Sequence, residues 1–282
     1  MLLCALCYGS AVVLARFAFE DGSNAATVVS VRCAFAALAI GSALGFGRAE
    51  RRTTGRERAL LLGLGVIFAL GVFSFYKAIE ILRVPLAILV FYVNPLLIGV
   101  FGALVGFERP TARTLLFALV SLVGLALATG ASPEAVDAKG VGFAILAAAL
   151  TAAVLVVSTH RVSHVNAKSR TFWMMLSTSA AVIAATLAGD ALLWPKSTLG
   201  LWAVAGVCVL YAIGLVALFT SATRIGPLRT GLVMNLEPVV AIGGSWLLLA
   251  QGLTPAQLFG GALVIAGVIG AQVSRRSAPA VK

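Results

Sequence analysis

Residues 85–106 read PLAILVFYVNPLLIGVFGALVG, a run with no charged side chain. At 1.5 Å of rise per residue, a helix of this length is about 30 Å long, the thickness of a bilayer's hydrocarbon core. Apolar residues occupy every side of it, whereas a helix at a soluble surface keeps a polar face. The run is therefore read as a membrane span. Asn94-Pro95 stands near its middle, where a proline removes one helical hydrogen bond and favours a kink.

The rest of the chain repeats this pattern. Of 282 residues, 61% are hydrophobic and 11% are charged, with a mean hydropathy of +1.05. Soluble domains carry about 25% charged residues. Further spans fall near 2–19, 25–47, 59–79, 114–130, 140–158, 171–189, 200–221, 230–250 and 256–273. The strand-like alternation of a membrane barrel is missing, so the fold expected is all-α with ten transmembrane helices. The first span is marginal because it starts at Met1 and carries Arg16 near its far end. Either Arg16 snorkels to the interface or the natural chain starts further upstream.

The formal charge of +11 does not point to nucleic acid, because the cations sit in short clusters between apolar runs. With the N-terminus placed inside, the inside set is Arg48, Arg51, Arg52, Arg56, Arg58, Arg109, Arg113, Arg161, Lys168, Arg170, Arg224, Arg229, Arg275, Arg276 and Lys282. The outside set is Arg83, Lys139 and Lys196. This asymmetry over short loops places both termini in the cytoplasm. Cys4, Cys7, Cys33 and Cys208 lie inside apolar stretches and are read as small packing residues. No phosphate-binding glycine loop, serine elbow or metal-ligand cluster suggests an enzyme. His160 and His164 lie in or beside a cytoplasmic loop with no acidic partner nearby in sequence. No cofactor or metal is expected.

An internal repeat is also visible. Adding 143 to Asn94-Pro95 gives Glu237-Pro238, and Thr111 and Gly124 map onto Thr254 and Gly267. Residues 1–130 and 131–282 then form two five-span halves. An odd number of spans inserts the second half upside down, the geometry of many secondary transporters.

Candidate site residues follow from polarity at depth. Glu237 is costly in hydrocarbon unless it faces a cavity, meets a cation or binds a proton; a structural bond across a helix interface is the alternative. Asn94 offers a donor and an acceptor. Pro95 and Pro238 leave the carbonyls of Phe91 and Met234 without their usual donors, and two broken helices at corresponding positions point to a central site. Arg32 and Lys77 either snorkel, attract an anionic group or pair with an acid such as Glu80. Tyr8, Tyr76, Tyr92 and Tyr211 serve as pore lining, interfacial belt or interhelical partners. Gly99, Gly102, Gly106, Gly260, Gly261 and Gly267 provide smooth packing faces.

These residues resemble the EamA family of the drug/metabolite transporter superfamily. The similarity runs through Leu6-Cys7-Tyr8-Gly9-Ser10, Arg32 in Ser30–Phe35, Phe73–Ala78, Asn94-Pro95-Leu96 and Gly106–Thr111 to Gly124. It continues through Leu236–Val240, Leu253-Thr254-Pro255 and Gly260–Val268, with Gln251 where a glutamate often precedes Leu-Thr-Pro. The resemblance implies a plasma-membrane transporter of small organic solutes such as amino-acid-like metabolites or toxic compounds. Efflux from a bacterial cell across its inner membrane is the expectation, coupled to a proton or an exchanged solute, with uniport left open. A lipid flippase and a non-transporting scaffold or sensor are the alternatives. The expected partners are a small organic solute and membrane lipids, a homodimer is left open, and no nucleic acid is expected.

Overall fold

The computed structural model describes residues 2–43, 53–82, 84–107, 110–130, 137–189, 192–249 and 254–273. Among these residues the chain is helical, with no strand. The helices are α1 (Leu2–Glu20), α2 (Ala25–Ala43), α3 (Gly55–Ile81), α4 (Val84–Phe91), α5 (Asn94–Leu104) and α6 (Ala112–Thr129). They continue as α7 (Ala138–Arg161), α8 (Ala167–Gly189), α9 (Thr198–Ile225), α10 (Pro227–Met234), α11 (Leu236–Leu249) and α12 (Pro255–Val273). Eight stretches are long and apolar enough to cross a membrane, with α4 and α5 spanning together as Leu86–Leu104. α10 and α11 likewise continue one apolar run, and α12 is the remaining apolar helix, so the twelve segments correspond to the ten runs read from the sequence.

Local chemistry sets the helix ends. Proline opens α10 and α12, where its missing N–H costs nothing. Gly226, at φ 92°, makes the sharp exit from α9 into α10 that a side chain would resist. α3 and α12 start with reciprocal caps: Thr54 with Glu57, and Thr254 with Gln257. Thr111 caps α6 by accepting from Thr114 N. Thr111 and Thr254 are related by the 143-residue offset.

The helices form two compact units. Unit 1 comprises Met1–Leu70 and Val157–Thr223, and unit 2 comprises Gly71–Val156 and Arg224–Lys282. Each unit therefore combines segments from before and after residue 130. In unit 1, α2 packs on α8; in unit 2, α6 packs on α12. The two members of each pair are counterparts at the 143-residue offset.

The α6–α12 contact depends on glycine. A Cβ on Gly124 would lie 2.7 Å from both Gly260 O and Val264 N. A Cβ on Gly267 would lie 2.7 Å from Phe117 O and 2.8 Å from Ser121 N. Shifting each residue of the first set to its counterpart produces the second set, so this contact is its own image.

Unit 1 is joined by hydroxyls as well as by apolar packing. Ser30 and Thr186 share a buried bond of 3.1 Å. Thr178 and Ser177 donate to the carbonyls of Gly65 and Leu62, each at 2.8 Å. Cys4, Cys7, Cys33 and Cys208 are buried and in no disulfide, in keeping with packing.

Arg170 departs from its expected place. It belongs to the first turn of α8 and is fully buried, so it leaves the set of loop charges. Its guanidinium donates to Ser158 O at 3.0 Å and Phe219 O at 2.7 Å, with Cζ 5.5 Å from the Phe219 ring centre. Arg170→Ala is expected to destabilise the protein by about 2–4 kcal/mol, through lost bonds and an empty volume. Arg170→Met keeps most of the volume and should cost less. Thermal unfolding in detergent measures both; equal losses would contradict this packing argument.

At the opposite end of unit 1, Asp21 accepts from Ser197 N at 2.7 Å and Ser197 Oγ at 2.8 Å. Arg16 pairs with Glu20 at 2.9 Å, both of them exposed. The Ser197 bonds hold the Asp21 carboxyl below its ordinary value of 3.8. A lowered folded pKa contributes stability above the ordinary value, and that contribution is lost as pH falls through the folded value. Asp21→Asn should therefore lower the unfolding temperature at neutral pH, and its difference from wild type should shrink on acidification below pH 3.8.

Candidate functional site

The candidate residues divide between the two units, and those of unit 1 form a cluster. In unit 1, Arg32 of α2 lies over the ring of Tyr211 of α9, with Cζ 4.5 Å from the centroid. Tyr8 of α1 meets the same ring edge-on, with centroids 5.7 Å apart. Tyr211 is buried, while Arg32 and Tyr8 are half-buried. Gly214, one turn along α9, makes room for Tyr8: a Cβ there would lie 3.1 Å from its ring. The Tyr211 face stabilises a cation at depth through its quadrupole. Arg32 is thus held against the aromatic face of Tyr211.

Unit 2 holds the two helix breaks. Tyr92 and Val93 form a turn between α4 and α5, and Asn235 alone separates α10 from α11. The backbone stays near helical values there, at φ −66° and ψ −13° for Val93 and φ −61° and ψ −13° for Asn235, so the kinks expected at Pro95 and Pro238 are short interruptions displaced toward the N-terminus. Each proline sits inside the first turn of the following helix, where it does not disrupt that helix. α4 and α10 are both eight residues long, and their bounds coincide at the 143-residue offset.

Asn94 opens α5, and its Nδ2 donates to Ala148 O of α7 at 2.7 Å. Tyr92 is buried and meets Phe91 edge-on at 5.8 Å. Phe91 in turn lies 4.8 Å from Phe75. Glu237 is half-buried in the first turn of α11. Lys77 is exposed on α3. Glu108, Arg109 and Gln251 lie outside the described residues, as does the side chain of Glu80.

Asn235 is the site residue that the sequence reading missed. It is 1% exposed, and its Nδ2 donates to the buried Ser121 Oγ at 2.9 Å. Its Oδ1 has no hydrogen-bond partner. Its sequence signal is a lone amide in an apolar run, at the position matching Tyr92. His164 gains a partner through the fold: Glu57 Oε1 lies 2.5 Å from its Nε2. The acid is remote in sequence and reaches His164 through the fold. Among the described residues, no group of His, Cys, Asp and Glu is arranged to hold a metal.

Membrane-length helices in one chain, two of the spans broken at matched positions, define a multi-pass membrane protein. The chain belongs to the EamA-like transporter family, whose model matches residues 1–130 and 138–272, and it is accordingly a membrane transporter. This family is part of the drug/metabolite transporter superfamily. An uncharacterized transporter of Archaeoglobus fulgidus is 29% identical over 218 residues, covering 77% of this chain and 78% of the relative. A solved crystal structure shares the fold at a TM-score of 0.76 and 20% identity, covering 98% of this chain and 99% of its own.

Proposed function

We propose that the protein is a secondary transporter that exports small organic metabolites from a bacterial cell by alternating access. In this reading residues 1–130 and 131–282 are inverted five-span repeats, and both termini are cytoplasmic. The observation that carries it is the pair of helix breaks at Tyr92-Val93 and Asn235, in spans related by 143 residues. Broken helices in corresponding positions supply backbone groups and half-helix ends to a substrate or coupling ion at membrane depth. The self-imaging α6–α12 contact and the two stretches matched by the family model support the repeat.

The side chains suit an amphipathic solute such as an amino-acid-like compound. In unit 1, Arg32 on the face of Tyr211 answers a carboxylate and an apolar body; in unit 2, Asn94 and Glu237 flank the helix interruptions. Glu237 is the proposed proton carrier, because a half-buried carboxylate at a helix N-terminus can exchange a proton without a metal or cofactor. Comparing the solutes retained by cells with and without the protein identifies the cargo. Uptake of that cargo by sealed proteoliposomes, with and without a pH gradient, then tests the mechanism. An absence of protein-dependent flux for any solute that differs between the cells would overturn the transport reading.

A further inference from the structure

α3 and α8 run parallel in unit 1 with a steady register. Arg58 Cζ lies 5.3 Å from the ring centre of Trp173. One turn further along, Ser177 bonds Leu62 O, and Thr178 then bonds Gly65 O. Both helices consequently begin at the same end of the unit. Ser169, Trp173 and Ser177 are spaced four apart, as are Thr54, Arg58 and Leu62, so each set lies along one helix face. Carrying the register back one turn from Arg58 and Trp173 brings Ser169 level with Thr54.

Two hydroxyls at this end are buried without partners. Thr53 is 6% exposed and Ser169 is 3% exposed, and neither Thr53 Oγ1 nor Ser169 Oγ makes a hydrogen bond. Buried polar atoms are normally satisfied, so each of these hydroxyls has unused capacity for a ligand oxygen at this end. The surroundings favour an anion. Two long helices present their positive ends here, the half-buried Arg58 lies alongside, and Arg56 and Lys168 are exposed. Glu57 is the one described carboxylate at this end, and it is engaged by Thr54 N and His164.

We propose that the paired N-termini of α3 and α8 bind the phosphate of an anionic phospholipid, held by Arg58, Lys168 and the hydroxyls of Thr53 and Ser169. The ends of membrane-spanning helices lie at the headgroup layer, where basic residues meet acidic lipid. Trp173 is half-buried beside Arg58, and Leu60 and Leu176 are exposed at 37% and 41%. Exposed leucines on both helices near this end offer apolar surface to acyl chains, which free phosphate does not need.

The test uses the full chain in detergent, with thermal unfolding followed as phosphatidylglycerol, phosphatidylcholine or inorganic phosphate is added. Phosphatidylglycerol should raise the unfolding temperature, while the other two at equal phosphate concentration should not. The variant Arg58→Gln/Lys168→Gln should bind phosphatidylglycerol roughly tenfold more weakly or worse. Ser169→Ala is a milder probe: it should weaken binding several-fold and leave the lipid-free unfolding temperature unchanged. Equal stabilisation by phosphatidylcholine or by inorganic phosphate would overturn the proposal, as would undiminished phosphatidylglycerol binding by Ser169→Ala. The readout is binding, so it stands or falls separately from solute flux.

Discussion

Alanine at Gly124 or Gly260 should destabilise the protein by about 3 kcal/mol, whereas alanine at Gly142 should stabilise it by up to about 1 kcal/mol. A new Cβ on Gly124 would stand 2.7 Å from backbone atoms of α12. On Gly260 it would clash with Ala128 N and Gly124 O of α6. Backbone in a packed helix cannot swing aside as a long side chain can, so the two helices must separate or shift along most of their contact. Around Gly142 nothing lies within 4 Å, and there alanine's better helix propensity acts alone. Thermal unfolding of the three variants in one detergent gives the comparison. A loss at Gly142 matching the loss at Gly124 would show that general helix effects, and not close approach, set the stability.

Glu237→Gln should abolish the response of solute flux to a pH gradient while leaving the protein folded. Glutamine keeps the shape and hydrogen-bonding reach of the side chain but cannot exchange a proton. In proteoliposomes, wild-type accumulation driven by the gradient should fall in the variant to simple equilibration across the membrane. Glu237→Asp, which titrates but is shorter, should retain gradient dependence at a reduced rate. Wild-type accumulation in the Gln variant would exclude Glu237 as the coupling group and leave exchange or uniport as the driving mode.

Hydropathy made the membrane-spanning pattern legible because a span is a local property of some twenty residues. Pro95 and Pro238 likewise flagged the broken spans, since a missing N–H is written in the residue itself. The position of each break was not legible. Proline is comfortable in the first turn of a helix, so the helices restart at Asn94 and Leu236 and the discontinuity moves upstream. Arg170 was misplaced for a different reason. Its partners are the backbone carbonyls of Ser158 and Phe219, and carbonyls carry no residue code. The His164–Glu57 pair joins residues 107 apart, and the composition of the two units depends on which helices pack, so neither could be read along the chain.

The self-imaging contact between α6 and α12 has a consequence for how such a chain diverges. A surface that matches its own image is one a half-length chain could use to associate with a second copy of itself, and every residue would then serve twice. Covalent fusion removes that double duty. Ser121 carries a hydroxyl that Asn235 binds, while the counterpart positions hold Val264 and Tyr92. The buried polar link thus takes one residue from each half, and its counterpart pair is apolar and aromatic. The glycines at 124 and 267 stay alike, since both still face backbone.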